Sequence, residues 1–137
     1  MKTAARAFID SNIFLYHLDT DDPIKAAAAA KVLAEHELQS VVSVQVLQET
    51  YSVATKKQKL APQFVRDYIE RLCRGTVIEP DRTMVLRAID TSERCLISFY
   101  DAMIVEAAVA GHCSILITED LNDGQVIRGV RIVNPFQ

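Results

Sequence analysis

The sequence predicts an α/β fold in which helices cover a short, mostly parallel sheet. Two observations carry this prediction. Short apolar and β-branched runs recur along the chain, and each strand-like run is separated from the next by one or two segments with helical periodicity. No repeat, low-complexity linker or change in composition divides the chain. A single domain covering residues 1–137 is therefore expected, since this length suits one full-sized core.

The predicted strands are short runs of apolar and β-branched residues that stop at a polar or breaking residue. The first stops abruptly at Asp10, the third is closed by Pro80, and Pro135 follows the last. The run Cys113–Thr118 is the clearest of the set. The predicted strands cover residues 7–9, 40–43, 76–79, 113–118 and 130–133.

Helix boundaries are predicted by capping and breaking residues. Pro23 suits a first helical position, Ser43 is an N-cap, and Pro62 opens another helix. Gly75 lies where a helix ends, and Ser98–Asp101 has the form of a capping box with Asp in place of the usual Glu. The predicted helices cover residues 12–18, 24–37, 44–58, 62–74, 81–94 and 99–111, with Thr83 as an alternative start for the fifth.

Two of these helices carry faces with an expected packing role. The alanine run Ala26–Ala30 forms a smooth surface that favours close packing on a helix or on the sheet. In the fifth predicted helix, the apolar spacing places Met84, Val85, Ala88 and Ile89 on the inward face.

The overall composition is that of an ordinary globular protein. Half of the residues are hydrophobic and 24% are charged, and no apolar stretch is long enough to span a membrane. The net charge is −3 and the pI is about 5.6, which argues against non-specific binding to long duplex nucleic acid. A nucleic-acid enzyme remains compatible with this charge, since carboxylates in an active site contribute to it.

The cysteines and the N-terminus indicate a cytosolic protein. Cys73, Cys95 and Cys113 are odd in number and widely spaced, and they are predicted to be small buried residues in a reducing compartment. No Cys or His pair has zinc-ligand spacing. Residues 1–6 include two basic residues, but Asp10 interrupts the apolar run too early for a secretory signal.

Acidic residues fall at related positions of the predicted fold. Asp10 ends the first strand, Glu49 lies early in the helix after the second, and Asp101 lies in the first turn of the helix before the fourth. Asp120 and Asp123 follow the fourth strand. In a parallel sheet these positions belong to the same edge, where ligands bind. The carboxylates are therefore expected to meet.

Each acid also has a structural interpretation. Asp101 suits a helix start, Glu49 could pair with Lys56, and Asp120 and Asp123 are ordinary turn residues. Taken singly, the structural interpretation is favoured for each acid. Their convergence on one edge favours a site instead.

Several carboxylates in one cleft repel each other unless a cation binds between them. Oxygen ligands suit Mg²⁺ or Mn²⁺ better than zinc, and such an ion activates water and neutralises phosphate charge. The acids therefore indicate metal-dependent phosphodiester hydrolysis.

Two alternatives stay open. Small-molecule phosphatase chemistry is disfavoured, because Asp10 lacks an Asp-x-Asp arrangement and the chain has no phosphate-cradling glycine loop. A non-catalytic RNA-binding or regulatory module would use the acids structurally.

Four segments, in their order and spacing, resemble the PIN-domain ribonucleases, and most of all the VapC-type toxins of bacterial toxin–antitoxin pairs. The segments are FIDSNIFLYHLD, VVSVQVLQETY, SFYDAMIVEAA and LITEDLNDGQ. The ending VRIVNPF resembles one subgroup of those toxins. The resemblance covers nearly the whole chain. It implies a three-layer α/β/α domain and an endonuclease that cuts RNA with Mg²⁺ or Mn²⁺.

The resemblance also implies roles for particular residues. Asp10 and Asp101 would be the principal metal ligands, and Glu49 would complete an acidic quartet. The family's usual Asp-Phe pair is replaced here by Asp-Gly, so the fourth acid would be either Asp120 or Asp123, and Asp120 is preferred. The small polar positions that line the family's pocket correspond to Asn12, Ser43 and Thr118.

Partners follow from the same resemblance. Relatives of this kind are homodimers whose cognate antitoxin directs a basic segment toward the acidic pocket. Lys56, Lys57 and Lys59, at the end of the Glu49 helix, are candidates for contact with RNA phosphates, and a solvated helix end explains them equally well. No membrane partner is expected.

Overall fold

The computed structural model describes residues 5–137. The prediction that no secretory signal opens the chain rests partly on residues 1–4, which lie outside this range. The elements, in chain order, are β1 (Arg6–Ile9), α1 (Ser11–Leu18), α2 (Pro23–Glu35), β2 (Ser40–Ser43), α3 (Val44–Lys56), α4 (Pro62–Leu72), β3 (Thr76–Ile78), α5 (Arg82–Cys95), α6 (Phe99–Ala110), β4 (Cys113–Ile117), β5 (Val126–Ile127) and β6 (Val130–Val133).

The strands form one sheet in the order β3-β2-β1-β4-β6-β5. All neighbours run parallel except β5, which pairs antiparallel with β6. Ile9 lies opposite Ile117, and Ser43 lies opposite Ile78, so the strands end at one common edge. Within residues 5–137, six helices surround this mostly parallel sheet, which confirms the predicted fold class.

The core is densest around the central strand. Ala7, Phe8 and Ile9 of β1 are fully buried, as expected for a parallel strand with cover on both faces. Helix α6 is apolar on all sides, and its residues 102–108 are all buried. A helix with this pattern belongs inside a protein. The first apolar run stops at Asp10, which is itself buried at the end of the strand.

The capping residues mark the helix boundaries well. The side chain of Asp22 accepts a hydrogen bond from the backbone N of Lys25, and Pro23 occupies the first position of α2. Ser98 caps α6 in the same way through the backbone N of Asp101. The short antiparallel strand β5 was not predicted, because two residues carry no measurable periodicity.

Three predictions about burial are wrong. Val85 and Ile89 of α5 were expected to face inward, but they are 36% and 45% exposed. Helical periodicity identifies an apolar face but not what covers it, and nothing in the described part of the chain covers this one fully. Cys73 was expected to be buried, but it lies exposed just after α4. In the region covered by the structure, no helix is both long and apolar enough to cross a membrane.

Candidate active site

Asp10 lies at the end of the central strand and caps α1. Its Oδ1 accepts a hydrogen bond of 2.7 Å from the backbone N of Ser11, and its Oδ2 accepts one of 2.9 Å from the hydroxyl of Thr118. The residue is only 4% exposed. Burial raises the pKa of Asp10 to about 7, against the lowering effect of these two hydrogen bonds, and the nearby charges of Asp120 and Glu49 raise it further.

Thr118 connects Asp10 to the loop that follows β4. Its hydroxyl oxygen accepts hydrogen bonds from the side-chain amide of Asn12, at 3.2 Å, and from the backbone N of Asp120, at 3.1 Å. The Asn12 amide also donates to Asp120 Oδ2 at 3.1 Å, while Asn12 Oδ1 accepts from the backbone N of Glu119 at 3.3 Å. These bonds fix Asp120 relative to Asp10 although the two are far apart in sequence.

Glu49 is held on α3 by two donors. Its Oε2 accepts a hydrogen bond of 2.8 Å from the hydroxyl of Ser11, and its Oε1 accepts one of 2.8 Å from the side-chain amide of Gln45. The same Gln45 amide reaches the backbone oxygen of Tyr100 at 3.3 Å. This chain of bonds ties α1, α3 and the start of α6 together around the carboxylate.

Asp101 lies in the first turn of α6 and is half-buried. Burial raises its pKa, against the hydrogen bond with Ser98, and the charges of Asp120 and Glu49 raise it further. Asp101 and Asp120 line a surface cavity of about 340 Å³ together with the α5–α6 turn and Gln125. Asp10 and Asp101 are thus each coupled electrostatically to the same two acids.

No ion pair within residues 5–137 compensates the charge of this cluster. Three ion pairs occur within residues 5–137, and none of them includes these four acids. No group of three or more His, Cys, Asp or Glu side chains in that range is already close enough together to hold a metal ion. The donor set nevertheless fits Mg²⁺ or Mn²⁺, because these ions take oxygen ligands and Mg²⁺ needs only one or two protein carboxylates.

The two candidates for the fourth acid have different environments. Asp120 is held by Asn12 at the cavity that Asp101 also lines. Asp123 instead accepts a hydrogen bond of 2.8 Å from the backbone N of Asn134 and so connects the loop to the C-terminal segment. The geometry therefore favours Asp120 as the fourth acid, whereas the carboxylate of Asp123 is engaged with the backbone of Asn134.

The remaining predicted residues lie at the edge of this arrangement or beyond it. Ser43 is buried at the end of β2, and its hydroxyl caps α3 through the backbone N of Val46 at 3.4 Å. Lys56 and Lys57 are exposed at the far end of α3, and Lys56 makes no ion pair with Glu49 in the described range. Seven residues of helix place Lys56 about 10 Å from Glu49 along the axis.

Two residues of the site were not predicted. Ser11 and Gln45 are the two donors to Glu49. Gln45 precedes Glu49 by four residues, a spacing that brings side chains together on one helix face. That signal was present in the sequence. Ser11 carried no comparable signal, because its partner is 38 residues away.

A second network supports the loop after β4 from outside. The ammonium of Lys25 lies 2.8 Å from Glu119 Oε2 and 3.0 Å from the hydroxyl of Tyr16, which itself donates to Glu119 Oε1 at 2.7 Å. The pKa of Lys25 is raised by these contacts. Since Glu119 precedes Asp120, this network of α1 and α2 residues also restrains the fourth acid.

A larger cavity, of about 410 Å³, lies away from these acids. It is bounded by α1, α2, α4 and the starts of β2 and β3, and Glu37 is the only acid among its lining residues. The hydroxyl of Tyr68 and Nδ1 of His17 face each other there at 2.9 Å. The size of this cavity therefore does not mark the centre where the carboxylates converge.

Comparison with solved structures gives matches over almost the whole chain. A toxin–antitoxin complex from Klebsiella pneumoniae matches with a TM-score of 0.72 at 22% identity, covering 94% of this chain and 97% of the other. DNA-bound VapBC from Salmonella typhimurium matches with a TM-score of 0.68 at 18% identity, covering 94% and 97%. The Mycobacterium tuberculosis toxin VapC20, which cleaves the sarcin-ricin loop, matches with a TM-score of 0.68 at 15% identity, covering 91% and 98%.

Identities this low establish a shared fold and nothing more. The comparison with curated protein sequences finds no match. The family model of the PIN domain, in contrast, matches residues 7–125, from the first strand to the loop beyond Asp120. Because that match covers most of the sequence, this chain belongs to the PIN-domain family.

Proposed function

We propose that the protein is a metal-dependent endoribonuclease and the toxin of a toxin–antitoxin pair. PIN domains are typically nucleases that use divalent metals, which supports the reaction class. The observation that carries the proposal is the uncompensated carboxylate cluster. Asp10, Glu49, Asp101 and Asp120 come from four separate parts of the chain and interact electrostatically.

In this proposal Asp10 and Asp101 hold a Mg²⁺ or Mn²⁺ ion, and Glu49 and Asp120 complete the negative environment. Burial is the main cause of the raised pKa of both principal ligands, and the charges of Asp120 and Glu49 add to it. A cation would relieve that added repulsion. When bound, such an ion supplies an activated water and neutralises charge on the scissile phosphate.

The protein's own contribution is to hold the carboxylates ready. Thr118 and the backbone N of Ser11 fix both oxygens of Asp10, and Asn12 restrains Asp120. Ser11 and Gln45 donate to Glu49, which keeps its carboxylate oriented as an acceptor for a proton of the attacking water. Ser43, buried at the end of β2, caps the helix that carries Glu49. Fixed groups of this kind need little rearrangement during reaction.

The proposed partners are an antitoxin and a second copy of the chain. Structures from Klebsiella pneumoniae and Salmonella typhimurium with this fold are toxin–antitoxin complexes. An acidic pocket without its own cation is a suitable docking point for an arginine or lysine of such a partner. The exposed apolar side chains of α5 suit a homodimer contact. The substrate is RNA in the cytoplasm.

The proposal is tested by incubating the purified protein with total RNA and Mg²⁺ or Mn²⁺, followed by mapping of the product ends. Asp10→Ala and Asp101→Ala are expected to abolish cleavage while circular dichroism shows an intact fold. Asp123→Asn is the matched control, since it removes a charge from the same loop outside the cluster. Undiminished cleavage in both alanine variants would falsify the proposal.

Calorimetric titration with Mn²⁺ separates the enzyme from a non-catalytic RNA-binding module. The proposal expects metal binding that requires Asp10 and Asp101. Asp10-independent binding, together with RNA binding and no cleavage, supports the module instead.

A further inference from the structure

A second charged surface lies on α5, outside the carboxylate cluster. Arg87, Asp90, Thr91, Arg94 and Arg128 line a surface depression of about 330 Å³, which we call the arginine cleft. The first four follow the helical spacing i, i+3, i+4 and i+7, so they share one face of α5. Arg87 and Arg94 are exposed and form no ion pair with any residue in the range 5–137.

Arg128 is held in the cleft by a buried partner. Its Nε and Nη2 donate to the two carboxylate oxygens of Glu106 at 3.0 and 3.1 Å, and the hydroxyl of Thr91 donates to the same carboxylate at 2.8 Å. The side chain of Glu106 is 2% exposed, whereas that of Arg128 is 38% exposed. A planar guanidinium anchored along one edge keeps its remaining donors in a fixed orientation.

The backbone at Arg128 is also unusual. Arg128 and Gly129 have φ values of 54° and 79°, and together they form the two-residue turn between β5 and β6. Such turns favour Asn or Gly at the position that Arg128 occupies. Arginine is less favourable than Asn or Gly in this left-handed conformation. Its side chain, however, is the group that binds Glu106 and lines the cleft.

The arginine cleft adjoins the proposed active site along the chain. Cys95, directly after Arg94, lines the cavity that contains Asp101 and Asp120. Gln125 lines the same cavity, and three residues of extended chain, about 10 Å, separate it from Arg128. The cleft therefore begins one residue from the cavity along the chain and extends away from it along α5.

We propose that the arginine cleft binds the sugar–phosphate backbone of the RNA substrate beside the scissile bond. The inference rests on the proposed nuclease function. Guanidinium groups suit phosphate oxygens, and Arg128 is presented with its charge partly balanced by Glu106. Arg87 and Arg94 supply positive charge that forms no ion pair within residues 5–137, although the charge of Arg87 also acts on Glu106. Asp90 contributes an exposed carboxylate to the same cleft. An RNA strand thus meets carboxylates at the proposed cutting site and arginines next to it.

The test measures binding of a short, fluorescein-labelled, single-stranded RNA of mixed sequence to the full chain over a range of salt concentrations. Asp10→Asn serves as the background, so that the RNA is not cut. Adding Arg87→Gln and Arg94→Gln together is expected to weaken binding to all sequences alike. It is also expected to lower the slope of log affinity against log salt by roughly 1.4, since each phosphate contact with a single strand contributes about 0.7.

Arg66→Gln with Arg74→Gln is the matched control, because it removes the same charge from the region of α4 and is expected to leave the slope unchanged. Lys56→Gln with Lys57→Gln compares the alternative basic segment. An unchanged slope in the Arg87/Arg94 variant would overturn the inference. Binding of the same variant to polyglutamate, an acidic polymer without phosphate, is measured alongside. Loss of polyglutamate binding while RNA binding is retained would also overturn the inference. RNA cleavage by the protein that retains Asp10 reports separately on the proposed nuclease function. If the cleft variants leave RNA binding unchanged but this protein cleaves RNA, the proposed function stands and only the inference about the cleft fails.

Discussion

At Asp10 the fold holds a carboxylate where burial disfavours its charge. The residue is 4% exposed, and its pKa is raised to about 7. Two hydrogen bonds, from Ser11 and Thr118, oppose this effect. A buried acid without a cationic partner is a familiar mark of a functional position, because stability alone would favour a neutral side chain there.

This position predicts a pH dependence for the metal-free protein. Because the pKa of Asp10 is higher in the folded than in the unfolded state, the folded state binds more protons between the ordinary value of 3.8 and about 7. Stability therefore falls as pH rises through that window, by roughly 4 kcal/mol at most. Asp10→Asn removes this loss, so the variant is expected to have the higher melting temperature above pH 7 in chelator.

Thermal melts at both ends of the window check this. The advantage of Asp10→Asn should disappear toward pH 3.8, and adding Mn²⁺ above pH 7 should stabilise the wild-type protein but not the variant. The same temperature difference at both pH values would contradict the argument.

A second residue-scale prediction concerns the fourth acid. Asp120→Asn removes a charge that is coupled to both proposed metal ligands, and RNA cleavage is expected to fall on the order of ten- to a hundredfold. Asp123→Asn keeps an acceptor for the backbone N of Asn134 and is expected to cleave at the wild-type rate. Initial rates at saturating Mn²⁺ decide between them. A larger loss in the Asp123 variant would reverse the assignment.

The sequence predicts a site residue only where a local pattern marks its position. It does not predict a residue whose hydrogen-bond partner is distant in the chain. Asp10 and Asp101 are marked locally, by the end of an apolar run and by a helix cap, so the sequence places them at one edge. Their catalytic roles stay predictions. Ser11 could not be found in this way, because its bond to Glu49 depends on how α1 and α3 pack. Local patterns identify positions, whereas tertiary contacts determine their partners.

At the scale of elements, α6 and the β5–β6 turn depend on each other. The helix is apolar on all sides, yet it carries the buried carboxylate of Glu106. Burial acts to raise the pKa of Glu106, but the hydrogen bonds from Arg128 and Thr91 outweigh it and lower the pKa. The sequence predicts the helix from its cap, but it does not predict this pair, because β5 has only two residues and Arg-Gly is not a typical hairpin turn.

Arg128→Ala is therefore expected to destabilise the protein, because it removes the cation that balances the buried carboxylate of Glu106. Glu106 would remain buried without its cation, which costs about 2 kcal/mol after allowance for the exposure of Arg128. Urea denaturation measures the change. Adding Glu106→Gln to this variant should restore much of the loss, since the stranded charge is then gone. An additive loss in the double variant would show that packing, and not charge, holds the turn.

At the scale of the whole molecule, the wrong predictions for α5 have a common cause. The apolar spacing predicts that Val85 and Ile89 face inward, yet both are substantially exposed, and Leu86 beside them is 62% exposed. A periodic apolar face of a helix predicts that the face is covered. It does not predict whether another part of the same chain or a second chain covers it. Contiguous exposed apolar side chains are typical of contact surfaces.

The homodimer proposed above provides that partner, and it predicts the effect of charge on this face. Leu86→Lys with Ile89→Lys is expected to convert a dimer into a folded monomer. Burying the lysine ammonium groups in the contact would cost free energy, and the ammonium groups of the two copies would repel each other. Sedimentation equilibrium measures the mass, and circular dichroism checks the fold. Ile24→Lys is the control, since Ile24 is 83% exposed on α2, away from this face. A wild-type monomer, or a double variant that still dimerises, would show that the exposed face of α5 is not the dimer contact.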